Sequence, residues 1–215
     1  MGHGPEWVKQ KRAYDGSGRQ EQARRLREAI IDAAEHRFLS SGYQATTVAA
    51  IAADAAVSAD LIYKSFGGKP GLIRAICSRA LEGEGPEPAE QRSDALHDKT
   101  LDPRDIVRAW GTLLAEVAPR AAPILLLLRD AAATDPEVRA LQTEADDARL
   151  RRMTDNARRL HDAGQLRDGV TLAHAADVLW TYSAPELFEL LVLRRGWTPT
   201  RFGRFAAEAM INELL

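Results

Sequence analysis

Two helical hydrophobic patterns meet across a tight break between Thr47 and Phe66, in the stretch TVAAIAADAAVSADLIYKSF. Val48, Ile51, Ala52 and Ala55 recur at helical spacing and predict a first short helix with one apolar face. Ser58 stands where a second helix begins, as an N-cap whose hydroxyl accepts from a backbone N–H two or three residues on. Leu61, Ile62 and Phe66 give that second helix an inward side. Ser58, Ala59, Lys64 and Ser65 are left facing out, with Tyr63 at the margin. A short helix with a small, polar, cationic outer face suits the major groove of DNA, which is about 12 Å wide. The pattern therefore predicts a pair of helices that reads double-stranded DNA.

The same period organises the rest of the chain. From about Gln22, Leu26, Ile30, Ala33, Ala34 and Phe38 share a face, and Gly42 follows as a stop. Thr46 and Thr47 are both N-cap candidates for the next helix. Beyond Gly67-Gly68-Lys69-Pro70, a turn, Leu72, Ile73, Ile76 and Leu81 carry a fourth helix to about Glu82. Residues 1–20 have no period and are expected to form a mobile arm. Its Lys9, Lys11, Arg12 and Arg19 either reach phosphate or the minor groove, or stay solvated. Residues 83–101, polar and containing two prolines, are expected to be a linker.

Three later helix starts share a capping side chain followed by proline: Asp102-Pro103, Asp135-Pro136 and Thr198-Pro199. With Gly164 and Gly196 as ends, the rear is expected to hold helices over 103–118, 121–132, 136–162, 171–195 and 199–214, the fourth kinked at Pro185. Nowhere does the sequence alternate with period two long enough to argue a strand. The fold class expected is all-α. An N-terminal helix-turn-helix domain (21–82, motif 47–66) precedes a C-terminal helical bundle (102–215).

Composition and charge narrow this further. With 215 residues, 45% hydrophobic and 28% charged, the chain has material for a sizeable core. No pure apolar run, Ile124 to Leu128 included, exceeds six residues, so no membrane partner is expected. The opening MGHGPEWVKQKR lacks the hydrophobic segment of a secretory leader, and the lone Cys77 fits a reducing cytoplasm. Residues 1–81 hold 12 Lys/Arg against 8 Asp/Glu, and residues 82–215 hold 17 against 23. A basic front and an acidic rear suit a chain that presents one end to phosphate.

The stretch 24–81 resembles the tetracycline-repressor (TetR-type) family of bacterial transcription regulators. The likeness rests on FLSSGYQATTV, IAADAAVS and LIYKSFGGKPGL, in which Phe38, Gly42, Tyr43, Thr46-Thr47, Ile51-Ala52, Val57-Ser58, Tyr63, Phe66, Lys69 and Leu72 fall at the family's spacing. The resemblance implies that Thr47 caps the first motif helix and touches phosphate, that Ser58 and Ala59 open the recognition helix, and that Tyr63 and Lys69 contact the DNA backbone. Lys64 would reach base edges, donating to guanine O6/N7. Ala56 replaces the family's usual glycine in the turn, at a modest cost if positive φ is needed there. Asp60 replaces a small residue and would repel phosphate unless it accepts from cytosine N4. Ser65 removes a bulky contact.

For the rear, Trp110, Leu114, Val117, Leu125, Leu128 and Met153 mark apolar faces that are either core or the wall of a ligand site. Trp180 lies on a further such face, and Arg129, Asn156 and Ser183 are polar side chains expected nearby, able to orient a largely apolar effector. Leu187, Leu190, Leu191, Phe202, Phe205 and Met210 on the last two helices either form a two-fold homodimer interface or fold back on their own core. The five histidines are scattered without ligand spacing, so neither a metal nor a cofactor is expected, and no nucleophile or phosphate-loop motif argues for an enzyme. The reading is a homodimeric, ligand-responsive repressor on a palindromic operator. A small-molecule-binding module without operator specificity, or a helical enzyme, stays open.

Overall fold

A computed structural model describes residues 17–83, 87–97 and 102–215. The described residues are helical: α1 (Ser17–Ser41), α2 (Val48–Asp54), α3 (Ala59–Phe66), α4 (Lys69–Glu82), α5 (Ala89–His97), α6 (Pro103–Ala132), α7 (Pro136–Asp162), α8 (Leu172–Tyr182), α9 (Pro185–Phe188) and α10 (Pro199–Leu214). Between α9 and α10, Glu189–Arg194 widens into π-helical turns. The caps read from sequence are formed. Asp102 Oδ1 accepts from Arg104 N–H at 2.8 Å, Asp135 Oδ1 from Glu137 N–H at 3.0 Å, and Thr198 Oγ1 from Arg201 N–H at 3.2 Å.

Five expectations are corrected. α1 starts at Ser17, so the last residues of the expected arm, Arg19 among them, are its first turn; Lys9, Lys11 and Arg12 lie outside the described residues. The expected linker contains α5, whose Ala89 and Ser93 are buried and whose Arg92 is bonded to Glu116 of α6 at 2.9 Å. Residues 103–118 and 121–132 are one helix that runs through Pro119 and Pro123. Each proline removes one i→i−4 bond and costs about 3 kcal/mol. Burial of Ala118, Ala121, Ala122, Ile124, Leu126 and Leu128 around the two prolines offsets that cost. At Pro185 the chain breaks rather than bends: Ser183 and Ala184 leave the helix and Pro185 restarts it as its first residue. Leu26 and Leu81, expected inward, are exposed.

By length and composition α6 could cross a membrane, but it is the central helix of the bundle, packed on α4, α7 and α10. It meets α10 without intervening side chains, through Gly111 and Gly203. Around that crossing a rear core gathers Ile106, Val107, Trp110, Leu160, Leu179, Ala206, Met210 and Leu214. The front core is not confined to α1–α4. Ile30, Phe38, Ile51, Ile62, Leu72, Ile73 and Ile76 continue into Ile124, Leu128 and Ala132 of α6 and Val138 and Leu141 of α7. The corner where α6 passes into α7 is thus part of the core of the front helices.

Candidate nucleic-acid interface and ligand cavity

The two motif helices are fixed by side-chain caps at both starts. Thr47 Oγ1 accepts from Ala50 N–H at 3.1 Å, and Ser58 Oγ from Leu61 N–H at 3.2 Å. Between them Val57 N–H bonds to Ala52 O at 2.9 Å, closing a turn that forces Ala56 to φ 53°. Among the described residues Ala56 is the only non-glycine with positive φ, so the strain anticipated from the missing glycine is present. α3 then ends on Gly67 at φ 76°, and Gly71 approaches Phe66 O so closely that a β-carbon there would stand 1.6 Å away. That contact sets how α3 projects from α4.

α3 buries Ile62 completely and half-buries Leu61 and Phe66, the latter under the Arg27 guanidinium at 4.5 Å. Arg27 had no sequence signal of its own; it lies on the polar side of α1. Outward face Ser58, Asp60, Tyr63, Lys64 and Ser65, with Ala59 half-buried; Tyr63 is 57% exposed. Asp60 sits in the first turn of α3, where the helix dipole favours a carboxylate without any contact to DNA.

Two residues expected at this face are otherwise engaged. Thr46 is buried, and its hydroxyl donates to Gly42 O at 2.8 Å and Arg37 O at 3.1 Å, bracing the loop before α2. Lys69 is half-buried; its Nζ donates to Tyr43 O at 2.9 Å and lies 4.2 Å from the Tyr43 ring centre. Tyr43 stacks on Phe38, and burial pushes its phenol up to about 12, with Glu137 and Asp135 at the start of α7 adding to the rise. The remaining ties hold α1, α2 and α4 as one body. Arg37 pairs with Asp54, and Arg79 reaches Glu28, Asp32 and Glu35.

Behind this head lies a cavity of about 750 Å³, walled by α4 to α10 and mainly apolar. It brings together Trp110, Leu114, Val117, Leu125, Leu128, Met153, Asn156 and Ser183 of the residues expected to line a ligand site. Arg129 and Trp180 are not among its lining. Arg129 pairs with Glu189 at 3.1 Å and Asp130 at 2.9 Å on the outer side, and Trp180 packs under the Arg149 guanidinium at 4.6 Å. Sequence reasoning missed Arg149 and Arg152, which also line the cavity. On α7 the positions 149, 152, 153 and 156 follow the i, i+3, i+4, i+7 spacing of one face, but arginines there read as a solvated stripe. Cys77 lines the wall too; burial pushes its thiol up to about 12, so it is a protonated apolar side chain.

Of the six residues expected at a dimer interface, Phe202 and Met210 are buried within the protomer, Phe202 edge-on to Phe188. They are core. Leu187 and Leu191 are half-buried against that core, while Leu190, Leu193 and Phe205 are exposed, and Phe205 meets edge-on the Trp197 ring that Arg201 covers at 3.9 Å.

The model for bacterial regulatory proteins, tetR family, matches residues 30–76, from the middle of α1 through the two capped motif helices into α4. Residues 30–76 are thus the helix-turn-helix part of a tetR-family bacterial regulatory protein. The chain is 27% identical over 146 residues to the uncharacterized HTH-type transcriptional regulator YvkB of Bacillus subtilis (strain 168), covering 68% of this chain and 73% of that protein. Its fold is that of FadR from Bacillus subtilis in complex with stearoyl-CoA (TM-score 0.69, 17% identity, 86% of this chain and 97% of that one). It is equally that of SmeT in a triclosan complex (TM-score 0.69, 24% identity, 89% and 92%). SmeT is the Stenotrophomonas maltophilia repressor of the SmeDEF multidrug efflux pump. The matched segment is the DNA-binding helix-turn-helix, and the family it matches is one of transcription regulators rather than enzymes.

Proposed function

We propose that the regulator is a cytoplasmic, ligand-responsive repressor that binds a palindromic operator as a homodimer. The observation that carries this reading is a shared wall: Ile73, Leu128 and Leu141 belong to the core of the DNA-reading head and also line the cavity. A molecule that displaces them acts on the head directly. That FadR and SmeT hold stearoyl-CoA and triclosan is consistent with a small-molecule effector here.

On the DNA, Lys64 is assigned to base edges, with Ser58, Ala59, Asp60 and Ser65 around it and Tyr63 and Thr47 toward phosphate. Two α3 helices related by a two-fold axis would enter successive major grooves. Leu190, Leu193 and Phe205, with Leu187 and Leu191 behind them, form the surface by which the copies join, since they are apolar and exposed at the end of the bundle.

Magnitudes decide how the ligand acts. Ile124, Leu128, Val138 and Leu141 each contribute about 1.5–3 kcal/mol by burial in the head's core. Coupling between sites is typically about 1–3 kcal/mol. Detaching α4 from this corner would therefore cost more than a ligand supplies. The head tilts together with the α6–α7 corner, and the separation of two heads in a dimer changes with it. DNA and ligand then oppose each other by the same factor.

The test is selection of bound duplexes from a random pool, followed by titration of apolar compounds against the selected duplex by fluorescence anisotropy. A palindromic sequence released by at least one compound class is the expected result. No enriched sequence would leave a ligand-binding module, a reading favoured by Asp60 and Ser65 on the exposed face of α3.

A further inference from the structure

The cavity is long, and its two ends differ. At one end Leu128 and Leu141 back onto the reading head; at the other, Asn156 lies among Trp110, Met153 and Met210. Leu141 and Asn156 are fifteen residues apart on α7, which places them about 22 Å apart along the helix axis. Asn156 is 4% exposed, yet its side-chain Oδ1 has no hydrogen-bond partner in the protein. A buried acceptor without a donor is rare and costly, and at a cavity wall it marks a group that a ligand completes.

Three of the four arginines on the walls are already paired, and the fourth, Arg151, is exposed to solvent. Arg74 faces Glu144 at 3.0 Å, Arg149 faces Asp146 at 3.8 Å, and Arg152 faces Asp94 at 2.8 Å. A ligand carboxylate or ammonium would compete with these pairs and would lose its own hydration on entering. A neutral donor for Asn156 has no such competitor.

We infer that the effector is an elongated neutral molecule with a hydroxyl at one end, whose O–H donates to Asn156 Oδ1 while its apolar body runs along α7 toward Leu128 and Leu141. The inference rests on the ligand-sensing reading and names its chemical class. The hydroxyl end fixes register at the rear, and the length of the apolar body determines whether the molecule presses on the wall shared with the head. A body that stops short of Leu141 binds without moving it.

The experiment is displacement of an apolar fluorescent dye from the full-length protein by three probes of similar length: 1-dodecanol, 1-methoxyundecane and dodecanoate. The alcohol is expected to bind at least about tenfold more tightly than the ether, because only the alcohol donates to the orphan acceptor. Dodecanoate is expected to be weaker than the alcohol. Asn156→Leu should bring alcohol and ether to within about twofold by removing the acceptor while keeping the apolar wall. If that variant does not fold, the wild-type ratio alone decides. Equal binding of alcohol and ether by the wild type, or tightest binding of dodecanoate, overturns the hydroxyl assignment and leaves ligand sensing standing. Failure of all three to displace the dye overturns both.

Discussion

A β-carbon on Gly203 would stand 2.1 Å from the carbonyl oxygen of Gly111, so α10 and α6 cross backbone to backbone at that point. The rear core and the cavity floor both depend on that approach. Gly203→Ala is expected to push the helices apart and to destabilise the protein by about 3 kcal/mol or more, at the upper end of overpacking effects. Urea denaturation measures it. A loss below about 0.5 kcal/mol would mean that the crossing is loose.

Ala56 holds φ 53° in the turn between α2 and α3, a conformation glycine adopts freely. Ala56→Gly is expected to raise stability by about 0.5–1 kcal/mol, the relief of left-handed strain less the added chain entropy. Thermal melts test this. Operator affinity should not change, because the turn geometry is the same.

Lys64 and Lys69 should separate cleanly. Lys64→Ala is expected to weaken operator binding by about 1–3 kcal/mol and to relax preference at one base pair, without loss of stability. Lys69→Met removes the donor to Tyr43 O and the cation over its ring, so a stability loss of about 1–2 kcal/mol is expected. Anisotropy titrations over a range of salt, beside melts, distinguish the two. A large drop in salt dependence for Lys69→Met would return that residue to the phosphate backbone.

Burial raises the Tyr43 phenol from an ordinary 10.0 and the Cys77 thiol from an ordinary 9.0, each to about 12. Both groups release protons less readily folded than unfolded. Their contribution is therefore complete below pH 9 and declines as pH rises toward 12. Stability should fall through this window, and less steeply in Cys77→Ala. At pH 8 the native thiol should react slowly with iodoacetamide and quickly in urea.

Leu193 and Phe205 are 56% and 42% exposed on the terminal helices. The double variant Leu193→Glu, Phe205→Glu is expected to sediment as a monomer that keeps its melting behaviour and loses most of its operator affinity. Unchanged association in the ultracentrifuge would place the interface elsewhere. Phe202→Ala, by contrast, should cost about 3–5 kcal/mol without changing how a folded chain associates, since its ring lies inside the protomer.

The head was legible because its signals are local. Thr47 and Ser58 cap within three residues, Ile62 shares a face with Leu61 and Phe66, and Gly67 ends the helix in the left-handed region. α6 was misread as two helices because local proline preference is strong, whereas the burial that overrides it comes from helices distant in sequence. Phe202 and Phe205 illustrate another limit. Both are aromatic on the same amphipathic helix, one turn apart, and only packing against Phe188 decides that the first turns inward. Thr46 and Lys69 sit at family positions, but their partners are backbone carbonyls, whose placement no pattern of side chains announces.

The continuity of the front core into α6 and α7 has a practical side for protein engineering. Residues 17–82 cut out alone would leave Ile73, Ile76 and Tyr43 without the apolar neighbours supplied by positions 124–141. A chimera that transplants this recognition module onto a foreign sensor must carry that elbow along. Otherwise the graft begins life with an open seam and a tendency to clump.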